Sequence, residues 1–187
     1  MPSAEGLEGI AAEVRVCVLC PLSKRRKNAV PGEGPSDAPV MVVGEAPGAN
    51  EDQQGRPFVG SAGRNLEDLL SRAGLARSNV FITNVVKCRP PNNRDPLPAE
   101  ISACSGFLDA QVDLVSPKVI VTLGNFATRY LLGTTEGITR LRGRVHPYRD
   151  GIVIVPTFHP SAGLRSGGAV IAEMRADLVR AKRALSG

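Results

Sequence analysis

The sequence has 187 residues, the length of one compact domain rather than two, because domains typically run about 100–200 residues. With 42% hydrophobic and 22% charged residues it reads as a globular chain; no apolar run approaches the roughly 18–20 residues that span a bilayer, which argues against a membrane protein. Twenty-three Lys and Arg against 18 Asp and Glu give a net charge of +5, and the pI near 9.3 favours a polyanionic partner such as nucleic acid without requiring one.

The N-terminal MPSAEGLEGIAAEVRVC carries acidic residues where a secretory signal is basic, so the expected location is the cytoplasm. A helix is expected near Glu8 to Val16, followed by Cys17-x2-Cys20 and the basic run Lys24 to Lys27 in a long irregular stretch ending at Pro39. PVMVVG (39–44) is the first strand, and it opens into the turn Gly44-Glu45-Ala46-Pro47-Gly48. SAGRNLEDLLSRAGL (61–75) is a helix, VFITNVV (80–86) the second strand, and Lys87 to Pro98 a second irregular stretch. Long loops of this kind are usually functional. Then follow a helix over 98–115, the strand KVIVTLG (118–124), a helix over 125–133 and the strand GIVIVPT (151–157). A last helix over 169–185 repeats Val170, Met174 and Leu178 at helical spacing, with Arg175, Arg180, Lys182 and Arg183 elsewhere on its surface.

Short β-branched runs bounded by Gly, Pro or Asn and separated by helices indicate an α/β fold with a parallel sheet buried on both faces. In such a sheet a ligand lies outside the carboxyl ends of the strands. The candidate chemistry falls there: Glu45 after the first strand, Asn84 at the end of the second, Gly124-Asn125 after the third, and His159-Pro160-Ser161 after the fourth. Gly44 and Gly48 around Pro47 let the backbone turn tightly and present amides to a ligand. A G-x-G-x-x-G dinucleotide fingerprint and a Walker lysine motif are both missing.

The four cysteines, Cys17, Cys20, Cys88 and Cys104, leave none over. In a reducing compartment they read as one four-thiolate site rather than two disulfides. Spacing does not choose between zinc and an iron–sulfur cluster. If Cys20 and Cys88 share that site, the basic loops after each come together. Seven aromatic rings and no Trp do not suffice for a platform that stacks successive bases.

GEAPGANEDQQGRPFVGSAG (44–63), TNVVKCRPPNNRDP (83–96) and FHPS (158–161), with the cysteine ladder, resemble the family 4 uracil-DNA glycosylases, the iron–sulfur branch of their superfamily. The resemblance runs from Cys17 to the final helix, with the motifs in the family's order. It implies a three-layer αβα fold with a four-stranded parallel sheet over residues 1–187. It also implies a four-iron, four-sulfur cluster on the four cysteines and release of uracil from single- or double-stranded DNA.

Residue by residue, the resemblance implies a pocket lined by Gly44, Ala46, Glu51, Phe58 and Asn84. Phe58 matches the phenylalanine that stacks on uracil, and Asn84 the asparagine that reads the base edge. An amide suits the O4 and N3–H of uracil and opposes cytosine's reversed pattern. His159 matches the histidine that donates toward uracil O2 and stabilises the developing anion. Ser161, Leu164 and Arg165 match the loop that enters the minor groove, Leu164 as wedge and Arg165 as phosphate contact. The best-known branch carries an aspartate where Ala46 stands, so water activation falls to Glu45 or Glu51. The expectation is Glu45 for water and Glu51 at the uracil C5 edge, where it excludes thymine's methyl group, though the sequence leaves the two roles exchangeable. Asp52 is an expected cap and His146 an expected structural residue.

The expected reaction is monofunctional, since no lysine stands in a motif position suited to a Schiff base, and the protein is expected to act as a monomer. KCRPPNNRDP holds no histidine, which disfavours a covalent link to the sugar. A catalytically silent DNA-binding module and a four-cysteine zinc protein are the alternatives.

Overall fold

The computed structural model describes residues 4–187, so residues 1–3 of the expected unit lie outside the described residues. Helix α1 (Ala4–Val16) precedes the sheet. The strands are β1 (Val40–Gly44), β2 (Val80–Asn84), β3 (Val119–Leu123), β4 (His146–Pro147) and β5 (Val153–Thr157). Between and after them lie α2 (Ala49–Gln54), α3 (Ser61–Arg72), α4 (Pro98–Val115), α5 (Gly124–Leu132), α6 (Ile138–Leu141), α7 (Pro160–Ser166) and α8 (Gly168–Ala184).

The sheet order is β2-β1-β3-β5-β4. The four expected strands are the parallel ones, β1 pairing with β2 and β3, and β3 with β5. The expectation of four strands is corrected to five: His146 and Pro147 add a short antiparallel edge on β5. Two residues of RVHPYRD carry no periodicity, so no sequence pattern marks them as a strand. His146 there is structural as expected, its Nε2 2.8 Å from the Leu141 carbonyl.

Alternation along each strand sends side chains to two cores. Met41, Val43, Phe81, Ile120 and Ile154 face α1 and α4, packing with Val14, Leu108 and Val112. Val40, Val42, Ile82, Val121 and Val155 face α3 and α8, packing with Leu66, Leu69, Met174 and Leu178. The last helix therefore packs on the sheet as its spacing predicts, and the layers are αβα.

The strand order changes side at β1, which pairs parallel with both of its neighbours. From β1 one parallel connection leads to β2 on one side, and the next crosses back to β3 on the other. This topological switch opens a crevice at the carboxyl ends of the strands. Short helices missed in the sequence, α2 and α7, lie at that end and replace expected turns.

Candidate active site

A cavity of about 400 Å³ occupies the crevice, lined by Glu45 to Gly48 after β1, Glu51 of α2, Phe58, Asn84 of β2, and His159 and Ser161 at the start of α7, with Arg165 at its rim. Segments far apart in sequence thus meet where the strand pattern placed them. Leu164, on α7, is 54% exposed beside this opening.

Phe58 forms one wall, and its backbone is strained. Its φ of 49° lies in the left-handed region that a bulky side chain disfavours. The surroundings hold it there: Arg77 donates to the Phe58 and Pro57 carbonyls at 2.7 and 2.6 Å, and Glu51 accepts from the Val59 and Gly60 amides at 3.1 and 3.3 Å. Glu33 in turn accepts from Arg77 at 3.1 Å and Arg56 at 2.9 Å. Both arginines hold the Glu33 carboxyl below its usual range against the opposing effect of burial. Such overdetermined strain is concentrated at ligand sites.

Gly44 is a point of close approach between two of these side chains. A Cβ there stands 2.5 Å from both Asn84 Oδ1 and Phe58 Cζ, so only glycine lets the two side chains share the slot. Asn84 is 1% exposed, and its buried Oδ1 has no hydrogen-bond partner among the described residues. Burying an unpaired carbonyl is costly, and a donor on a ligand would offset that cost.

The His159 ring lies 5.9 Å from the Phe58 ring, tilted by 37°. The Ser161 amide donates to His159 Nδ1 at 3.1 Å, and Ser161 Oγ stands 2.7 Å from the same nitrogen. Burial, with the Arg165 guanidinium adding to it, pulls the imidazole down to about 4. The ring is therefore neutral near pH 7.

Glu45 moves the other way: burial, then the neighbouring Asp95 carboxylate, push it up to about 7. Glu51 already spends one carboxylate oxygen on two backbone amides, which leaves Glu45 as the pocket carboxyl closest to an ordinary proton acceptor. Asp52 does not cap a following segment. Buried within α2, it accepts from the Lys27 and Asn28 amides at 2.9 and 3.3 Å and pins the loop after the first cysteines to the site.

Sequence reasoning missed Arg77, Asp95, and the pocket residues Asn93 and Arg94. The last three sit in the irregular stretch 87–98, whose length was the available signal. Arg77 lies in an ordinary turn and had none.

Cys17, Cys20, Cys88 and Cys104 line one small cavity with apolar walls from Val14, Leu19 and Phe107. Cys88 and Cys104 are buried, and burial pushes both thiols up, Cys104 to about 11. Thiols so placed ionise only when a cation replaces their protons, so the donor set fits a cationic group. Among the described residues no three His, Cys, Asp or Glu side chains are arranged to hold a single metal ion. Arg26 donates to Cys88 Sγ at 3.2 Å, so the two basic loops do meet, although Arg94 is taken up by Glu100 at 2.7 Å.

A family model, that of the Uracil DNA glycosylase superfamily, matches residues 31–181. The chain is similar to the type-4 uracil-DNA glycosylase of Sulfurisphaera tokodaii, 52% identical over 168 residues that cover 86% of this chain and 76% of that one. It is similarly close to that of Saccharolobus solfataricus, at 51% over 86% of this chain and 78% of the other. With that of Thermotoga maritima it shares 47% over 87% and 85%. A profile over most of the chain and relatives at this identity assign it: the chain belongs to the type-4 family of the uracil DNA glycosylase superfamily.

Proposed function

We propose that the protein hydrolyses the N-glycosidic bond of deoxyuridine in DNA, releasing uracil and leaving an abasic site. Family membership supports the activity. The observation that carries the site reading is the pairing, in one cavity, of an unpartnered Asn84 Oδ1 with a neutral His159.

Uracil slides between Phe58 and the facing wall, and Asn84 Oδ1 accepts its N3–H, which ends the unpaired state of that atom. Water adds at C1′ as the C1′–N1 bond breaks, and the bond's electron pair stays with uracil. His159 donates to O2, where the charge collects, without giving up its proton. Ionised Glu45 orients the water, accepts its proton and offsets positive charge on the sugar. Glu51 fixes the Phe58 turn at the C5 edge. Outside the pocket, Leu164 fills the stack left by the flipped base, while Ser161 and Arg165, at the pocket's edge, approach phosphate.

Cys17, Cys20, Cys88 and Cys104 are read as ligands of a four-iron, four-sulfur cluster whose contribution is structural, joining the segment after α1 to the loop after β2. Against the silent-module alternative, Glu45, Asn84 and His159 all line the pocket.

The test is release of free uracil from an oligonucleotide with one deoxyuridine, beside a thymidine control. Wild type is expected to release uracil alone, and His159→Ala to be slower by about 10²–10³-fold, the cost of losing one anion-stabilising donor. Binding without release by wild-type protein would overturn the reading.

A further inference from the structure

Among the described residues Lys87 is the largest side chain buried to this degree, at 1% exposure, and the chemistry above does not use it. Its Nζ does not line the cavity. It donates instead to Thr83 Oγ1 at 2.6 Å, to the Asn84 backbone carbonyl at 2.7 Å and to Gln111 Oε1 at 2.7 Å. Three acceptors at this distance match the three N–H bonds of an ammonium, against a burial that pulls the group down to about 7. Thr83 Oγ1 and Gln111 Nε2 pass the network on to the Pro31 carbonyl at 3.0 and 2.6 Å.

All three partners of the ammonium are uncharged oxygens. Burying a cation without a carboxylate is expensive, and an apolar side chain of similar volume fills such a space as well or better. Packing therefore does not explain a lysine here. What the ammonium does that methionine cannot is grip the main chain of the residue whose side chain faces uracil. Among the described residues Asn84 Oδ1 has no partner to fix it; its aim depends on where its own backbone is held.

We propose that Lys87 is a positioning residue for base recognition, clamping the Asn84 carbonyl against Thr83 and Gln111 so that the Asn84 amide is set for uracil before the base arrives. This rests on the reading of Asn84 as the group that meets the base. A preset amide pays little ordering cost on binding, which appears as affinity for the base.

The test is a double-mutant cycle on the affinity of free uracil, measured as a competitive inhibitor of uracil release, for wild type, Lys87→Met, Asn84→Ala and the double variant. Lys87→Met is expected to weaken uracil by about tenfold, the scale of one lost hydrogen bond to a charged group. The double variant should bind uracil no more weakly than Asn84→Ala alone. Iron per chain should match wild type, since the Lys87 backbone amide, 3.3 Å from Cys104 Sγ, is kept.

Wild-type uracil affinity in Lys87→Met, or effects of the two substitutions that multiply, overturns the proposal whatever happens to melting temperature. Loss of iron in step with uracil affinity also overturns it, by tracing the effect to the cysteines. Unchanged uracil affinity in Asn84→Ala fails the underlying reading, an outcome separate from these. If Lys87→Met does not fold, Gln111→Leu keeps the lysine and removes one acceptor. The same non-additivity with Asn84→Ala is then expected, and additivity overturns the proposal.

Discussion

The Ser161 backbone amide donates to His159 Nδ1 at 3.1 Å, and this one contact decides which nitrogen of the ring carries the proton. An amide can only donate, so Nδ1 must accept, and the hydrogen of the neutral ring sits on Nε2. The local backbone thus hands the pocket a donor. Replacing His159 by Asn keeps a donor of similar reach but loses the ring; we expect uracil release to recover partly relative to His159→Ala. Single-turnover rates for the two variants check this, and equal rates would deny a donor role.

Glu45 gives the pH dependence its sign. Its carboxyl stays protonated up to about 7, and only the ionised form accepts a proton from water. The rate under kcat/KM conditions should therefore rise with pH and level off above about 7, while His159, at about 4, stays neutral throughout that window. Asp95→Asn removes the second cause of the shift after burial, so the midpoint should move to lower pH. Glu45→Gln should flatten the profile at a rate lower by about 10²–10⁴-fold, as expected for loss of a general base.

Stability should show the same group from the other side. A carboxyl whose folded pKa is raised contributes stability present below its ordinary value of 4.5 and lost as pH rises through about 7. Glutamine mimics the protonated form, so Glu45→Gln should melt higher than wild type at pH 8 and match it near pH 4. His159 opposes this trend in wild type, because its folded value is depressed: its contribution is present above 6.5 and lost as pH falls through about 4. Thermal melts of both proteins across pH check this, and a difference that does not grow between pH 4 and pH 8 would count against a protonated Glu45.

Much of this was legible in the sequence for a physical reason. Doubly buried strands such as PVMVVG leave an unambiguous apolar run, and the parallel order follows from the helices between them. The candidate site residues were legible because they stand at strand ends inside motifs that resemble those of the family, Asn84 closing β2 and His159 following β5. What supports them was not. Arg77 reaches carbonyls 19 and 20 residues away, and the Lys87 ammonium depends on Gln111 of α4; contacts of that range carry no local pattern. The two-residue β4 and the short α2 and α6 lie below the length at which periodicity can be read.

Gly44 should tolerate no side chain. A methyl group there meets Asn84 Oδ1 and Phe58 Cζ at 2.5 Å, and Arg77 and Glu51 hold the backbone of the turn that carries the ring. Gly44→Ala should fold, because the displaced ring can tilt into the open cavity, but should lower kcat/KM for uracil release by about 10²-fold, the scale of a 1 Å misplacement. Near-wild-type release with an unchanged KM would show that the slot is wider than the contacts indicate.

Arg77 carries the strained turn from below. Arg77→Met keeps the length of the stem and removes both donors to the Pro57 and Phe58 carbonyls, along with the half-buried partner of Glu33. The cost should be about 1–3 kcal/mol, the range for buried carbonyls left unpaired. Because the φ of 49° at Phe58 is unfavourable by itself, the turn should relax when released, and the ring should leave the His159 side of the pocket. The functional signature is a KM raised more than kcat is lowered, with Asn84-dependent discrimination against cytosine retained. A melting temperature that falls while KM holds would mean that Glu51 alone keeps Phe58 in place, through its bonds to the Val59 and Gly60 amides.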